Sequence, residues 1–407
     1  NKISNKKLLE FLELQYCSGR GTIHENIHRI RPGEILMIQN GRIQKSELQK
    51  FPKKTTIKKN VDSNFIQKNI SESISVHLRS DVPYCLFFSG GIDSMLIMYF
   101  MNQISLKKKS AYKVNIENKK TDNSILKKIS NKFNIEFNEI SFTEKDFWKL
   151  LPFAAKQIDE PVADYAILPT FKLAEKASKD FKVAITGEGG DELFGGYGRY
   201  KNSYYFLRQN FYKGALSKLK KKINRESLIF ETNQLFIENL NLTKLQKFQY
   251  FDFVNWLPNN LLVKLDRCLM SYGMEGRTPL IDKKLYESFY YVNDNLKIKR
   301  GFGKYFVRKF LDENIEFYDA FSKKKGFTIP IYEWIPKKSK KLEELLPRVS
   351  ILNNIFEKEE IIELCRSTSN QKRNIRILWH LIFFTAWHKI NIEKKNANGD
   401  FFDIISN

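Results

Sequence analysis

Two glycine-rich stretches hold the residues of this sequence best suited to chemistry. The first, Ser89-Gly90-Gly91-Ile92-Asp93-Ser94, follows the apolar run Tyr84-Cys85-Leu86-Phe87-Phe88 and opens a helical pattern. Glycines let a backbone turn sharply and approach a ligand with no Cβ in the way. The freed N–H groups, the start of the helix and two serine hydroxyls make an anion hole suited to a pyrophosphate or a triphosphate tail. Asp93 would repel bare phosphate, so its presence makes sense with a metal bridging the phosphates. No Gly-Lys-Ser/Thr follows, which excludes a Walker A loop, and the spacing is not Gly-x-Gly-x-x-Gly. A tight turn with an acid stabilised by the helix dipole accounts for the same residues without any function.

The second stretch, Thr186-Gly187-Glu188-Gly189-Gly190-Asp191-Glu192, runs on into Leu193-Phe194-Gly195-Gly196-Tyr197 and also follows an apolar run, Val183-Ala184-Ile185. Three carboxylates among three glycines can hold Mg²⁺ and leave one acid for charge or proton work; a solvated surface loop is the plainer alternative. A third region, from Leu257-Pro258 through Leu261-Leu262-Val263-Lys264-Leu265-Asp266-Arg267 to Glu275-Gly276-Arg277-Thr278-Pro279-Leu280-Ile281-Asp282, reads as an amphipathic helix and a turn, uninformative by itself. A fourth, Lys304 to Arg308 and then Lys323-Lys324-Lys325-Gly326-Phe327, could neutralise a polyphosphate during bond breaking. Such clusters are usually solvated. His380 and His388 lie beside Trp379 and Trp387 on an apolar helix, where packing explains them better than metal binding.

The elements that must position these loops follow from periodicity. Ile66, Ile70, Ile74 and Leu78 recur every fourth residue and predict a helix. After Tyr84–Phe88, Lys113–Glu117 is a candidate strand, Ser124–Phe133 a helix, Phe137–Phe142 a strand, and two helical patterns lead to Val183–Ile185. Continuous apolar strands alternating with helices predict an α/β fold, a doubly wound, mostly parallel sheet covered on both faces. Both glycine loops then lie at the carboxyl edge of that sheet, where such folds bind ligands. The chain after residue 200 reads as mostly helical. Residues 1–55 differ: Ile35–Ile38, Asn40-Gly41 and Arg42-Ile43 read as a β-hairpin with no hydrophobic partner of its own. Lys53–Asn60 reads as a linker, and Lys394–Asp400 as part of a polar, mobile tail.

With 407 residues, 42% of them hydrophobic and 14% aromatic, the chain holds two to three domains' worth of sequence and is neither disordered nor a small disulfide scaffold. The 69 basic and 46 acidic residues leave a net charge of +23. The excess is mostly lysine, spread along the whole chain, as a compositional bias would produce. A nucleic-acid or membrane-surface partner or an anionic substrate would fit the same excess, so charge alone decides nothing. Cys17, Cys85, Cys268 and Cys365 are scattered without a C-x-x-C pair, as expected of reduced thiols in the cytoplasm. Apolar runs such as Leu381–Phe384 fall far short of the ~20 residues a membrane span needs.

Together these segments resemble the synthetase half of the glutamine-hydrolysing asparagine synthetase family. Ser-Gly-Gly-x-Asp-Ser is the pyrophosphate loop of the wider ATP pyrophosphatase superfamily, and Gly-Glu-Gly-Gly-Asp-Glu-Leu-Phe-Gly-Gly-Tyr is far narrower. Arg79-Ser80-Asp81-Val82-Pro83, Leu265-Asp266-Arg267 with Met270, Glu275-x-Arg277-x-Pro279-x-x-Asp282, Lys304 with Arg308, and Gly326-Phe327 leading to Pro330 and Trp334 occur in the family's order over roughly residues 56–390. Thr22 to Ile27 and Pro32-Gly33 resemble the last strands of the family's glutaminase domain. The resemblance therefore implies the end of that domain in 1–55, an ATP pyrophosphatase-type domain in 56–390 and a tail in 391–407. It also implies that the chain is the trailing part of a longer enzyme, since the nucleophilic cysteine that begins the glutaminase does not occur here.

The implied reaction is amidation of aspartate through a β-aspartyl-adenylate, with ATP and Mg²⁺ and with ammonia supplied from glutamine in the longer enzyme. By the same resemblance Glu188 and Lys324 are catalytic and Asp93 and Asp191 hold the metal. Phe87, Ser89, Gly90, Gly91, Asp93, Ser94, Ile116, Thr186, Gly187 and Lys304 bind ATP or pyrophosphate. No nucleic acid or membrane is implied, and a homodimer is compatible with it. Two rival classes remain: a relative acting on another carboxylate (β-lactam, sugar or peptide) and an RNA-modifying ATP pyrophosphatase, against which the second motif counts.

Ser322 stands where the family usually has arginine two residues before Lys324, and three consecutive lysines leave the register open. Only one lysine of the three can meet the leaving pyrophosphate. Lys324→Ala should lower kcat about 10²- to 10³-fold, the scale for one preorganised donor. Lys323→Ala and Lys325→Ala, as solvated charges, should each cost less than about tenfold. Steady-state kinetics on the three variants checks this, and an inactive Lys325→Ala beside a normal Lys324→Ala would overturn the register.

Overall fold

The computed structural model describes residues 2–49, 57–117, 123–201, 242–322, 329–367 and 372–406. Among the described residues seven strands form two sheets: a hairpin of β1 (Glu34–Gln39) and β2 (Arg42–Leu48), and a five-stranded sheet in the order β5-β4-β3-β6-β7. Its members are β3 (Tyr84–Phe87), β4 (Lys109–Ile116), β5 (Ile135–Phe142), β6 (Val183–Ile185) and β7 (Glu275–Arg277), and every pairing is parallel. The chain winds outward from β3 through β4 to β5, then returns to the other side of β3 for β6. The winding direction therefore reverses between β3 and β6, the place where open α/β sheets form a ligand crevice.

Side-chain alternation divides the sheet between two cores. Cys85, Phe87, Tyr112, Val114 and Ile116 face one cluster with Ala184, whereas Leu86, Phe88, Ala111, Val183 and Ile185 face the other. Successive strand residues point to opposite faces, so a sheet buried on both sides needs apolar residues at every position. That is why these strands read as unbroken apolar runs.

Three differences from the sequence reading concern elements that carry polar residues where an apolar pattern was sought. β4 begins at Lys109, four residues early, because the Lys109 ammonium is satisfied by Lys107 O at 2.9 Å and Asn102 Oδ1 at 3.3 Å. β7 was not expected, since Glu-Gly-Arg carries no apolar signal; it is held by its parallel register with β6. The amino-terminal segment holds more than a hairpin. A helix, Asn5–Leu14, is capped by Ser4 and packs Leu8, Leu9, Phe11 and Leu12 into the larger core. Its polar Lys7 and Glu10 are buried as a pair at 3.0 Å, with Lys7 also donating to Ser18 O at 2.7 Å.

The carboxyl-terminal part is helical, as expected. Its longest helix, Lys372–Asn391, packs on the helix Glu144–Gln157. Trp379 Nε1 donates to Ala163 O at 2.7 Å and Trp387 Nε1 to Ile158 O at 2.8 Å, so two indoles staple the loop that carries Asp164. His380 is buried, its Nδ1 2.8 Å from Leu12 O, and serves packing. Residues 394–400, expected in a tail, do lack helix, but the same stretch continues into a packed helix, Phe401–Ser406. Among the described residues no helix is long and apolar enough to cross a membrane.

Phe402 is 2% exposed with its ring 4.7 Å from that of Trp148. Truncating a buried phenylalanine typically costs ~3–5 kcal/mol. Phe402→Ala should therefore lower the urea midpoint clearly, whereas a mobile tail would leave it unchanged.

Candidate active site

Both glycine loops arrive at the crevice because β3 and β6 are adjacent in register, Leu86 opposite Ile185. After β3 the chain turns at Gly90, whose φ of +77° is open to glycine at little cost, and Gly91 caps the helix Ile92–Ile104. The serines brace the turn: Ser89 Oγ and Ser94 Oγ lie 3.2 Å apart, Gly91 N donates to Ser89 Oγ at 3.3 Å, and Ser94 Oγ donates to Gly91 O at 3.1 Å. Asp93 sits in the first turn of that helix.

The three acids of the second loop, taken from sequence as one group, are separated in space. Asp191 joins Asp93. The Lys304 ammonium lies 2.6 Å and 2.5 Å from the two Asp93 oxygens and 2.6 Å from Asp191 Oδ1. Burial of Lys304 works against its charge, but the two carboxylates outweigh this and raise its pKa. Glycines make the approach possible: a Cβ on Gly187 would lie 2.8 Å from Asp93 Cβ, and one on Gly196 would overlap Asp191 Oδ1 and Lys304 Cε.

Glu188 turns the other way and meets Lys264, Nζ to Oε1 at 3.0 Å. The same ammonium lies 3.4 Å from Asp164 Oδ1. Asp164 is fixed in turn by Ala166 N at 2.9 Å and Asn260 Nδ2 at 3.4 Å. Glu192 leaves the crevice altogether. It is buried beneath Tyr197, whose hydroxyl donates to Oε1 at 2.6 Å, and burial, with Asp191 nearby, pushes its pKa up to about 8. It is thus a packing acid whose burial favours the protonated form.

Of the other residues expected to bind ATP, Phe87 and Ile116 end neighbouring strands with their side chains largely buried. Thr186 N donates to Arg277 O at 2.9 Å, while the buried Thr186 hydroxyl has no hydrogen-bond partner among the described residues. Lys324 and its neighbours Lys323 and Lys325 lie outside the described residues. The segment leading to them is anchored by Arg308, which donates to Gly303 O at 2.9 Å and also to Ala320 O, and by Tyr318, whose hydroxyl donates to Gly90 O at 3.3 Å. Sequence reasoning missed Lys264, Asp164 and Asn260. Lys264 was visible only as a lysine among leucines on a helical face, which ordinarily reads as solvated.

Two chemically distinct ends result. At one, braced serines, a helix start, two carboxylates and a lysine suit a polyphosphate with its counter-cation. At the other, Glu188 keeps a quarter of its side chain exposed (26%) while anchored from below, as suits a group acting on a neighbouring substrate atom.

Residues 66–389 match the family described as asparagine synthase. Over 445 aligned residues the chain is 25% identical to glutamine-hydrolysing asparagine synthetase 1 of Bacillus subtilis (strain 168), covering 97% of this chain and 70% of that protein. It is 24% identical to a putative glutamine-hydrolysing asparagine synthetase of Mycobacterium tuberculosis (strain ATCC 25618 / H37Rv), covering 96% and 68%. A shorter match, 23% identical over 44% of this chain and 30% of the relative, is to an amidase of Penicillium rubens.

Gly196→Ala should abolish or severely reduce activity, because the added methyl displaces Asp191 and Lys304 together. Gly198→Ala, where a Cβ meets nothing within 4 Å among the described residues, should leave activity within about twofold. Parallel assays of the two variants check this.

Proposed function

The chain belongs to the asparagine synthase family, a family of ATP-dependent amidation, and we propose that it converts aspartate to asparagine through a β-aspartyl-adenylate. The observation that carries this reading is the split of the second loop, Asp191 toward Asp93 and Lys304 and Glu188 toward Lys264. Such a site can serve two successive displacements.

A carboxylate does not lose oxide to ammonia at neutral pH, so it must first become a mixed anhydride. In the first step the side-chain carboxylate oxygen of aspartate attacks the α-phosphorus of ATP, the bond to the bridging oxygen breaks, and pyrophosphate leaves. Charge accumulates on that leaving group. The N–H groups and hydroxyls of Ser89–Ser94 and the Lys304 ammonium, joined in our reading by Lys324, are suited to take it up. Asp93 and Asp191 converge on one cation position, at present shared by Lys304. This pair fits Mg²⁺, which needs one or two carboxylates and takes phosphate oxygens for much of its remaining sphere. When bound there the ion would neutralise the leaving charge. In the second step ammonia attacks the acyl carbon, AMP leaves, and the nitrogen loses a proton that Glu188 is suited to accept.

The backbone ends of β3, β4 and β6 at Phe87, Ile116, Thr186 and Gly187 are proposed to receive adenosine. Residues 1–55 are proposed as the end of a glutaminase domain that supplies ammonia from glutamine, and the cytoplasm as the compartment.

ATP–pyrophosphate exchange over a panel of carboxylates tests the reading. Exchange should depend on aspartate, and ammonium should then yield asparagine and AMP. Asp93→Asn and Asp191→Asn should each lower exchange about 10²-fold or more with little change in melting temperature. Exchange driven by a different carboxylate and not by aspartate would overturn the assignment of the acceptor.

A further inference from the structure

We propose that Lys264 is the positioning residue of the acyl centre, its buried ammonium anchored on Asp164 so as to hold the Glu188 carboxylate toward the adenylate. This rests on the preceding reading that Glu188 acts on the acyl carbon.

Lys264 is 3% exposed and lies in the first turn of the helix Val263–Met270, beside the buried Leu265, Cys268 and Leu269. A lysine there costs desolvation, and packing alone would favour an apolar residue. Burial acts to strip its proton, but Asp164 and Glu188 reverse that effect and raise the pKa, so the ammonium persists. The two acids are held unequally. Asp164 also receives Ala166 N and Asn260 Nδ2, and two indole N–H groups staple its loop to the carboxyl-terminal helix. Glu188 stands between glycines, Gly187 and Gly189, the latter at φ +89°, where the backbone itself restrains a side chain least. The acid with more hydrogen bonds fixes the lysine, and the lysine fixes the acid between the glycines.

The loop's other working acid has a lysine of its own. Asp191 is served by Lys304 at the phosphate end, and Lys264 lies within ion-pair reach of Glu188 and Asp164. This separation sets the expected signature. Loss of Lys264 should impair the attack of ammonia and spare the formation of adenylate. A residue that merely supported the fold would impair both together.

The experiment measures, for the full chain, aspartate-dependent ATP–pyrophosphate exchange and asparagine formation from ammonium. Lys264→Met should lower asparagine formation about 100-fold while exchange and the KM for ATP stay within about threefold. Lys264→Arg, which keeps the charge, should recover at least about tenfold of that loss. Lys264→Met combined with Glu188→Gln should be no worse than Glu188→Gln alone, because the lysine acts through the acid. Should Lys264→Met fail to fold, Asp164→Asn carries the test, with a loss of about tenfold confined to asparagine formation. Equal losses in both half-reactions, unchanged amide formation, or additive losses in the double variant would overturn the proposal. A parent chain that shows no exchange with any carboxylate would instead overturn the functional reading, and Lys264 with it.

Discussion

The parallel register of β3 with β6 is the constraint on which the site depends. Tyr84 lies opposite Val183, Cys85 opposite Ala184 and Leu86 opposite Ile185, so both strands end level and release their glycine loops side by side. Because side chains alternate across a sheet, a slip of one residue would carry Leu86 and Ile185 out of one core and into the other. It would also move Gly187 past Asp93, against whose Cβ it now fits with no room for a methyl group. Apolar packing on both faces thus holds the register, and the register holds two carboxylates within reach of one lysine. Stability and charge geometry are set by the same three pairs.

Burying charge governs the next level. Lys304 and Lys264 are each nearly inaccessible, and each is paid for by two carboxylates drawn from different elements. An unpaired ammonium at either place would lose several kcal/mol to desolvation. The pairs therefore act as joints: Lys304 ties the two glycine loops to the helix that follows it, and Lys264 ties the second loop to the Asp164 loop. Glu192 is the counter-case, an acid from the same loop that meets no lysine among the described residues and whose pKa burial under Tyr197 raises.

What could be read from residues alone follows from this. The central strands were legible because burial on both faces demands unbroken apolar runs, and the loops because glycine and acid together have few structural uses. β7 was not legible: Glu275-Gly276-Arg277 forms a strand through its neighbour's register and carries no pattern of its own. Nor was the role of Lys264, since a lysine on an amphipathic helix looks the same whether water or a carboxylate faces it. The helix Asn5–Leu14 escaped notice because its buried Lys7 and Glu10 satisfy each other and break the apolar stripe. Of the acids in Gly187–Glu192, spacing indicated that a metal and a proton could be served, but their division between two lysines is a property of the packing.

The indole staples from Trp379 and Trp387 have a consequence in time. The loop they fasten, Ile158 to Ala163 and the neighbouring Asp164, precedes them in sequence by more than two hundred residues. A chain emerging from the ribosome folds from its amino terminus as it appears, so β3 to β6 can pair while the helix Lys372–Asn391 is still being made. The Asp164–Lys264 end of the crevice then waits for the helix Lys372–Asn391, whereas the Asp93–Asp191 end needs nothing described beyond the anchors at Ala320 and Ser322. Nascent chains would hold the Asp93–Asp191–Lys304 cluster before they hold a fastened Asp164 loop, and the helix Lys372–Asn391 acts as the clasp that completes the crevice.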